Sequence, residues 1–185
     1  GSEMCIRDST PPGPGRVVPS DPAITLTKTV ENLTTPGASV TRIGDRLLYT
    51  VTLANTGAAN SCLVGAVISD PLPVGIEPAA GTIQLAVNGG APVPVPDGAY
   101  DRGTRTIAVT CGDLWGGGSA VLAFEVIVEA AALGQNSANI AHAHGGIPSE
   151  DPGSVPLGPD PGKPTEPPAD EPIASSDPAE PPTII

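Results

Sequence analysis

The chain has 185 residues, of which 24 are Pro and 23 are Gly, while aromatic residues make up only 2%. So much Pro and Gly, without a three-residue period, excludes collagen and predicts that part of the chain is not globular. The formal net charge of −12 argues against non-specific nucleic-acid binding, because Lys and Arg are needed to neutralise phosphates. The sequence also predicts no membrane span and no signal peptide, since it has no long apolar run.

Proline and charge divide the chain into three predicted parts. In residues 1–22, the stretch EMCIRDS reads, when back-translated, as a sequencing adapter, and a Pro-rich linker follows it. Residues 23–146 are the predicted folded domain, and residues 147–185 are predicted to be an acidic, semi-extended Pro-rich linker. The final ASSDPAEPPTII resembles VPSDPAITL near the start, which indicates that another repeat begins there.

Within the predicted domain, apolar and polar residues alternate with a period of two, which is typical of β-strands. Runs bounded by Gly, Pro, Asn or Asp are, in chain order, AITLTKTV, RLLYTVTLANTG, CLVGAVISD, TIQLAVNGG, APVPVP, RTIAVTC, AVLAFEVIVEA and NSANIAHA. About seven or eight such strands predict an all-β, immunoglobulin-like antiparallel β-sandwich flanked by Pro-rich disordered linkers. The alternating prolines of APVPVP predict an edge strand. Tyr49, Phe124 and Trp115 are expected to centre the core.

Strand parity places three polar side chains among apolar neighbours: Lys28 in the first strand, Asp70 in the third and Asn136 in the last. One interpretation is that Lys28 extends its amine to water, Asp70 opens the turn DPLP, and Asn136 satisfies backbone groups. The other is an autocatalytic cross-link. Burial would lower the pKa of the lysine and raise that of the aspartate, so that a neutral Lys28 amine attacks the Asn136 carboxamide while protonated Asp70 shuttles protons. Ammonia would leave.

A set of ordered motifs resembles a known family over residues 23–144. TLTKTV, IGDRLLYTVTLANTG, VISDPLPVGI, GGGSAVLAFEVIV and NSANIA are similar to the bacterial surface-protein repeat known as domain of unknown function eleven, an isopeptide-forming fimbrial or adhesin repeat. The resemblance implies an immunoglobulin-like module that builds stalks. It also implies that Lys28 and Asn136 form the isopeptide bond, with Asp70 as the catalytic proton shuttle. Asn139, which has the opposite parity, is the second candidate for the asparagine, and Glu125 is a weaker candidate for the shuttle.

Two cysteines remain once Cys5 is set aside with the adapter. Cys62 and Cys111 either form one disulfide or stay as free buried thiols, because sequence spacing does not fix the distance between them.

Metal-binding patterns are weak. His142 and His144 share a strand face but have no further ligand at a zinc-site spacing. Asp97 and Asp101 are explained by turn chemistry without calcium. The sequence therefore predicts no metal and no cofactor.

These observations favour a structural spacer repeat of a secreted or cell-wall-attached bacterial adhesin or fimbrial protein. The expected partners are neighbouring repeats of the same polypeptide, and a host surface ligand through the parent protein. One alternative is an adhesive module that itself binds a host protein or glycan, and another is an accessory domain of a large extracellular enzyme. Enzyme turnover is not expected, because the cross-linking reaction consumes its own residues. The expected location is extracellular, at the bacterial cell surface or cell wall.

Overall fold

The computed structural model describes residues 19–148 and 171–185, and these residues form an all-β sandwich of two antiparallel sheets. The predicted fold class is confirmed. Seven strands in the described residues have four residues or more, and four are shorter. In chain order they are β1 (Ile24–Asn32), β2 (Arg46–Asn55), β3 (Cys62–Pro71), β4 (Ile76–Pro78), β5 (Gln84–Val87), β6 (Val93–Pro94), β7 (Tyr100–Asp101), β8 (Thr106–Trp115), β9 (Ser119–Val128), β10 (His142–Gly146) and β11 (Ala174–Ser175).

The first sheet has the strand order β1-β2-β9-β5-β6, with β4 also paired to β9. The second sheet has the order β11-β10-β3-β8-β7. The alternation in the sequence explains this arrangement, because each strand of a sandwich turns every second residue towards the opposite sheet. Along β2, for example, buried and half-buried residues alternate from Leu47 to Asn55. β6, which lies within the run APVPVP, is an edge strand as predicted.

The core between the sheets is aliphatic, with one aromatic pair at its centre. Tyr49 of β2 and Phe124 of β9 are fully buried and stack with their ring centroids 5.7 Å apart. The expectation for these two residues is confirmed. Trp115 lies elsewhere, packed half-buried against Cys62 and Val64 in a small second cluster.

Irregular pairing between β3 and β8 explains why Trp115 leaves the core. The register shifts on both sides of Ala66, and Gly65 and Gly112 have positive φ values of 59° and 80°. A bulge of this kind reverses the side-chain phase along a strand. Leu63 and Ile68 therefore belong to the main core, whereas Val64, between them, belongs to the second cluster.

Residues 171–185, called here the return segment, pack against the domain. β11 pairs with β10, and Thr41 pairs with Ile184. Ser176 and Ala179 are buried, and Ile173, Ala174 and Ile184 contact the main core. The prediction of a linker over residues 147–185 is therefore wrong for residues 171–185, because their few apolar side chains suffice to complete one side of the sandwich. The rest of that predicted linker, beyond residue 148, lies outside the described residues.

At the other end of the domain, the chain is paired slightly earlier than predicted. The Ser20 amide donates to the Asn60 carbonyl over 3.0 Å, and the Cys62 amide donates to the Ser20 carbonyl over 3.1 Å. The adapter-like stretch EMCIRDS lies outside the described residues. No helix within residues 19–148 and 171–185 is long and apolar enough to cross a membrane.

Candidate functional site

Lys28 occupies the middle of β1, and its side chain points into the sandwich. Strand β1 alternates as the sequence predicts, with Leu26 and Lys28 buried and the intervening threonines exposed. The Lys28 side chain is fully buried, so the amine does not extend to water. Its Nζ lies 4.9 Å from the centroid of the Tyr49 ring and 5.9 Å from that of Phe124. The amine is thus held against the aromatic centre of the core.

Asp70 faces Lys28 from the other sheet. It lies near the end of β3, is fully buried, and accepts a short hydrogen bond from the Lys28 amine at Oδ2. Asp70 follows the bulge at Gly65, so it shares the inward phase of Ile68. The two predicted residues therefore meet across the sandwich, where an unpaired charge would be costly.

Burial changes the protonation of this pair in opposite directions. It lowers the pKa of Lys28 to about 8, although the neighbouring Asp70 carboxylate acts in the other direction. Burial raises the pKa of Asp70, and this effect is opposed by Lys28, by His142 and by the Asn139 amide. Both shifts favour the uncharged forms, a neutral amine and a protonated carboxyl, because a low-dielectric interior disfavours charge. An amine with a pKa near 8 is available as a nucleophile close to neutral pH.

Asn139 is the asparagine that lies at this pair. Its side chain is fully buried next to Asp70 and Tyr49. This polar neighbour partly opposes the rise that burial causes in the pKa of each. Neither its Nδ2 nor its Oδ1 reaches the full geometry of a hydrogen bond. Its backbone is fixed by two hydrogen bonds with Ala179 of the return segment, of 3.1 and 2.9 Å.

Four buried polar atoms of this cluster lack a partner at hydrogen-bond geometry: Asp70 Oδ1, Tyr49 Oη and both side-chain atoms of Asn139. Buried polar groups are usually paired, so four together in one place are exceptional. Such a cluster costs stability unless its chemistry compensates for the cost. Tyr49 belongs to this site as well as to the core, a role that its sequence pattern did not reveal. Burial and the Asp70 charge both raise the pKa of its hydroxyl, so it stays protonated.

Asn136, the first choice from the sequence, lies outside the cluster. It is exposed, and its Oδ1 accepts a hydrogen bond of 3.0 Å from the Ala138 amide. The prediction placed Asn136 on the last strand, but β10 begins only at His142, and residues 136–138 have no regular secondary structure. A parity argument has no force outside a strand. Of the two candidate asparagines, Asn139 is the one that lies beside Asp70. Glu125 also lies elsewhere, half-exposed and paired with Arg46.

Cys62 and Cys111 do not form a disulfide with each other, which was one of the two alternatives for this pair. Cys111 is a free, buried thiol in the main core, and burial raises its pKa to about 12. Cys62 is itself disulfide-bonded, and it belongs to the second cluster on the other face of the same sheet. The bulges between β3 and β8 turn the two side chains to opposite faces, which keeps them apart.

Three of the four residues weighed as metal ligands make hydrogen-bonding contacts within the domain. Asp97 accepts from the Gly81 amide over 2.8 Å, and Asp101 accepts from the Gly103 amide over 2.8 Å, so both act in turns. His142 Nδ1 lies 2.7 Å from the Ser175 hydroxyl of the return segment. Across the described residues, no three His, Cys, Asp or Glu side chains are grouped closely enough to hold a metal ion.

No protein-family model and no curated protein matches the chain. Solved structures with a similar fold include an RrgA Jo.In complex (14% identity, TM-score 0.49, covering 71% of this chain and 76% of that one). Another is the Corynebacterium diphtheriae major pilin SpaA, with 24% identity and a TM-score of 0.47. The match covers 65% of this chain and 32% of SpaA, so this chain spans about a third of that structure. A third is the collagen-binding domain of a Staphylococcus aureus adhesin, with 15% identity and a TM-score of 0.41, covering 75% of this chain and 91% of that one. The second of these is a pilin and the third comes from an adhesin, and at these identities the comparisons concern the fold only.

Proposed function

We propose that the domain is a structural spacer repeat of a secreted or cell-wall-attached bacterial surface protein, an adhesin or fimbrial protein. In this proposal an autocatalytic isopeptide bond joins Lys28 to Asn139, so that the first strand is tied to the segment that leads into β10. The observation that carries the proposal is the buried Lys28–Asp70 pair with the side-chain carboxamide of Asn139 beside it, whose Nδ2 and Oδ1 have no hydrogen-bond partner. The motif resemblance to surface-protein repeats supports the stalk role.

The chemistry follows from the protonation that burial favours. The neutral Lys28 Nζ attacks Cγ of Asn139 while the protonated Asp70 carboxyl donates a hydrogen bond to Oδ1, which stabilises the developing negative charge. Asp70 then takes a proton from the attacking nitrogen and delivers one to Nδ2. The bond from Cγ to Nδ2 breaks and ammonia leaves, so one amide bond replaces another. The reaction needs no cofactor and no external reactant.

The bond would also remove the cost of the cluster. Lys28 would lose its charge in becoming an amide, and Asp70 could remain as a neutral acid beside a carbonyl oxygen. A group that is expensive to bury as an ion becomes an ordinary buried amide with a hydrogen-bond partner. The arrangement before the reaction is therefore less favourable than the one after it, which gives the reaction its direction.

The test is the intact mass of the purified full chain against the mass calculated from its sequence. The expected species is lighter by one ammonia, and this loss should disappear in Lys28→Met. A protein with the calculated mass, after long incubation near pH 8, would remove the cross-link from the proposal. Peptide mapping that finds Lys28 joined to a residue other than Asn139 would refute the assignment of the partner.

A further inference from the structure

The return segment lies along the side of the sandwich where the candidate site is found. β1 is an edge strand of the first sheet, and β10, paired to β11, lies at the corresponding side of the second. The return segment pairs with β10, contacts β1, and ends in a bridge to Thr41. It therefore closes the sandwich next to β1, which carries Lys28, and next to the irregular stretch that carries Asn139.

The contacts of the return segment converge on the asparagine. The backbone N–H of Asn139 donates to the backbone carbonyl of Ala179 over 3.1 Å, and the backbone N–H of Ala179 donates to the backbone carbonyl of Asn139 over 2.9 Å. Two residues further along, Ala141 donates to the Ser176 hydroxyl over 3.0 Å, and the Ser176 amide donates to the Ala141 carbonyl over 2.9 Å. Outside β10, these four bonds hold the irregular stretch that carries Asn139.

We infer that docking of the return segment completes the cross-linking site: it positions the Asn139 carboxamide for Lys28 and excludes water from the pair. The inference rests on the proposed function. Ala179 and Ser176 are the positioning residues, and neither takes part in the chemistry. Cross-linking would thus wait until residues far along the chain have folded back onto the domain.

Two physical effects make the segment necessary. Residues 136–141 have only the isolated bridge of Asn139 to Ala179 as strand pairing, so without the return segment the Asn139 backbone would be free to move. A displacement of about 1 Å at a reacting group can slow a reaction by about 10²-fold. Ala179 is also only 5% exposed, and its removal would admit water beside the buried pair. Water would stabilise the charged amine and reduce its nucleophilic fraction.

The experiment compares two Gln substitutions in the full chain. Ala179→Gln places a long polar side chain in a buried position, whereas Glu180→Gln places the same residue at the next, exposed position. Each protein is made by cell-free translation, samples are quenched in denaturant at intervals, and the fraction lighter by one ammonia is read from the intact mass. Ala179→Gln should slow cross-linking by about tenfold or more. Glu180→Gln should match the wild type.

The pH dependence of the rate tests whether the return segment keeps water away from the Lys28–Asp70 pair. The groups around the Lys28 amine are Asp70 on β3 and Tyr49 on β2, with His142 on β10 acting on Asp70. The acidic residues of the return segment are exposed. With the segment undocked, the midpoint of the rate against pH should rise from about 8 towards the ordinary lysine value. Equal rates and equal midpoints in Ala179→Gln and the wild type would overturn the inference.

Two further results keep the test decisive. A wild-type chain that never loses ammonia would refute the proposed cross-link itself, which is a different outcome from a variant that cross-links at the wild-type rate. Hydrogen exchange in β9 reports whether Ala179→Gln still folds. If it does not, Ser176→Ala takes its place, because it removes only the hydroxyl that accepts from Ala141. A wild-type rate in Ser176→Ala would then overturn the inference.

Discussion

Replacing Asn139 with alanine should prevent the cross-link, whereas the same change at Asn136 should not. The two asparagines are three residues apart, so they form a matched pair of substitutions. Asn139 is fully buried beside Asp70 and Tyr49, and Asn136 is exposed in an irregular stretch. Asn136→Ala loses only the hydrogen bond to the Ala138 amide, which contributes about 1 kcal/mol.

The size of the stability loss follows from the length of chain that the bond would enclose. A bond from Lys28 to Asn139 closes a loop of roughly 110 residues, and the chain-entropy treatment of a covalent link gives about 5 kcal/mol for a loop of that length. For a domain of this size, each 1 kcal/mol changes Tm by roughly 3 to 4 °C. Asn139→Ala should therefore lower Tm by roughly 15 °C or more.

Intact mass and thermal unfolding by circular dichroism, measured on the same samples, provide the assay. The expected result is ammonia loss in wild type and Asn136→Ala, and neither ammonia loss nor high Tm in Asn139→Ala. Loss of the cross-link in Asn136→Ala with retention in Asn139→Ala would refute the structural assignment. A change in Tm of only about 2 °C in Asn139→Ala, despite loss of the bond, would refute the chain-entropy reasoning.

Three further predictions concern protonation and backbone geometry. Asp70→Asn should slow ammonia loss by about 10²-fold or more, as measured by intact mass over time, because the amide cannot shuttle protons. In uncross-linked Asn139→Ala, Lys28 has a pKa of about 8 when folded and 10.5 when unfolded, so the unfolded state binds more protons between these values. The free energy of unfolding in urea should therefore rise by about 2 to 3 kcal/mol from pH 8 to pH 10, and Lys28→Met in the same background should abolish the rise. Gly75→Ala should lower the free energy of unfolding in urea by about 3 kcal/mol or more, because a Cβ at φ 76° would lie 2.2 Å from the Ala132 nitrogen. The control is Gly81→Ala, which has φ 73° in open space and should lower it by about 1 to 2 kcal/mol.

Much of the fold could be predicted from the sequence, because period-two alternation reports which side of a strand is buried. Lys28 and Asp70 illustrate this, since both point inwards as their parity indicated. Their meeting across the sandwich could not be derived from parity, which gives a face and not a partner. The motif resemblance supplied that pairing as an expectation.

Two gaps in the sequence analysis share one physical cause, which is that strand phase is lost at bulges and strand ends. Asn136 was assigned to a strand that begins six residues later, at His142. The disulfide between Cys62 and Cys111 stayed an open alternative, because the bulges at Gly65 and Gly112, which put the two side chains on different faces, cannot be derived from parity. The return segment was missed for another reason: proline and acidic residues dominate its composition, and a few small apolar contacts determine where it packs.

The proline edge of the first sheet has a consequence for how copies of the domain behave when crowded. Directly after β6, the backbone amide of Val95 points towards the sheet and donates to the Ile83 carbonyl over 2.8 Å. Because backbone N–H directions alternate along an antiparallel strand, the backbone nitrogens of residues 92, 94 and 96 point away from the neighbouring strand, towards the free edge. All three residues are prolines, which have no N–H. An incoming strand would find no donors there, so this edge resists both peptide capture and lateral fibril growth. Dense arrays of such domains can stand side by side without joining their sheets at this edge.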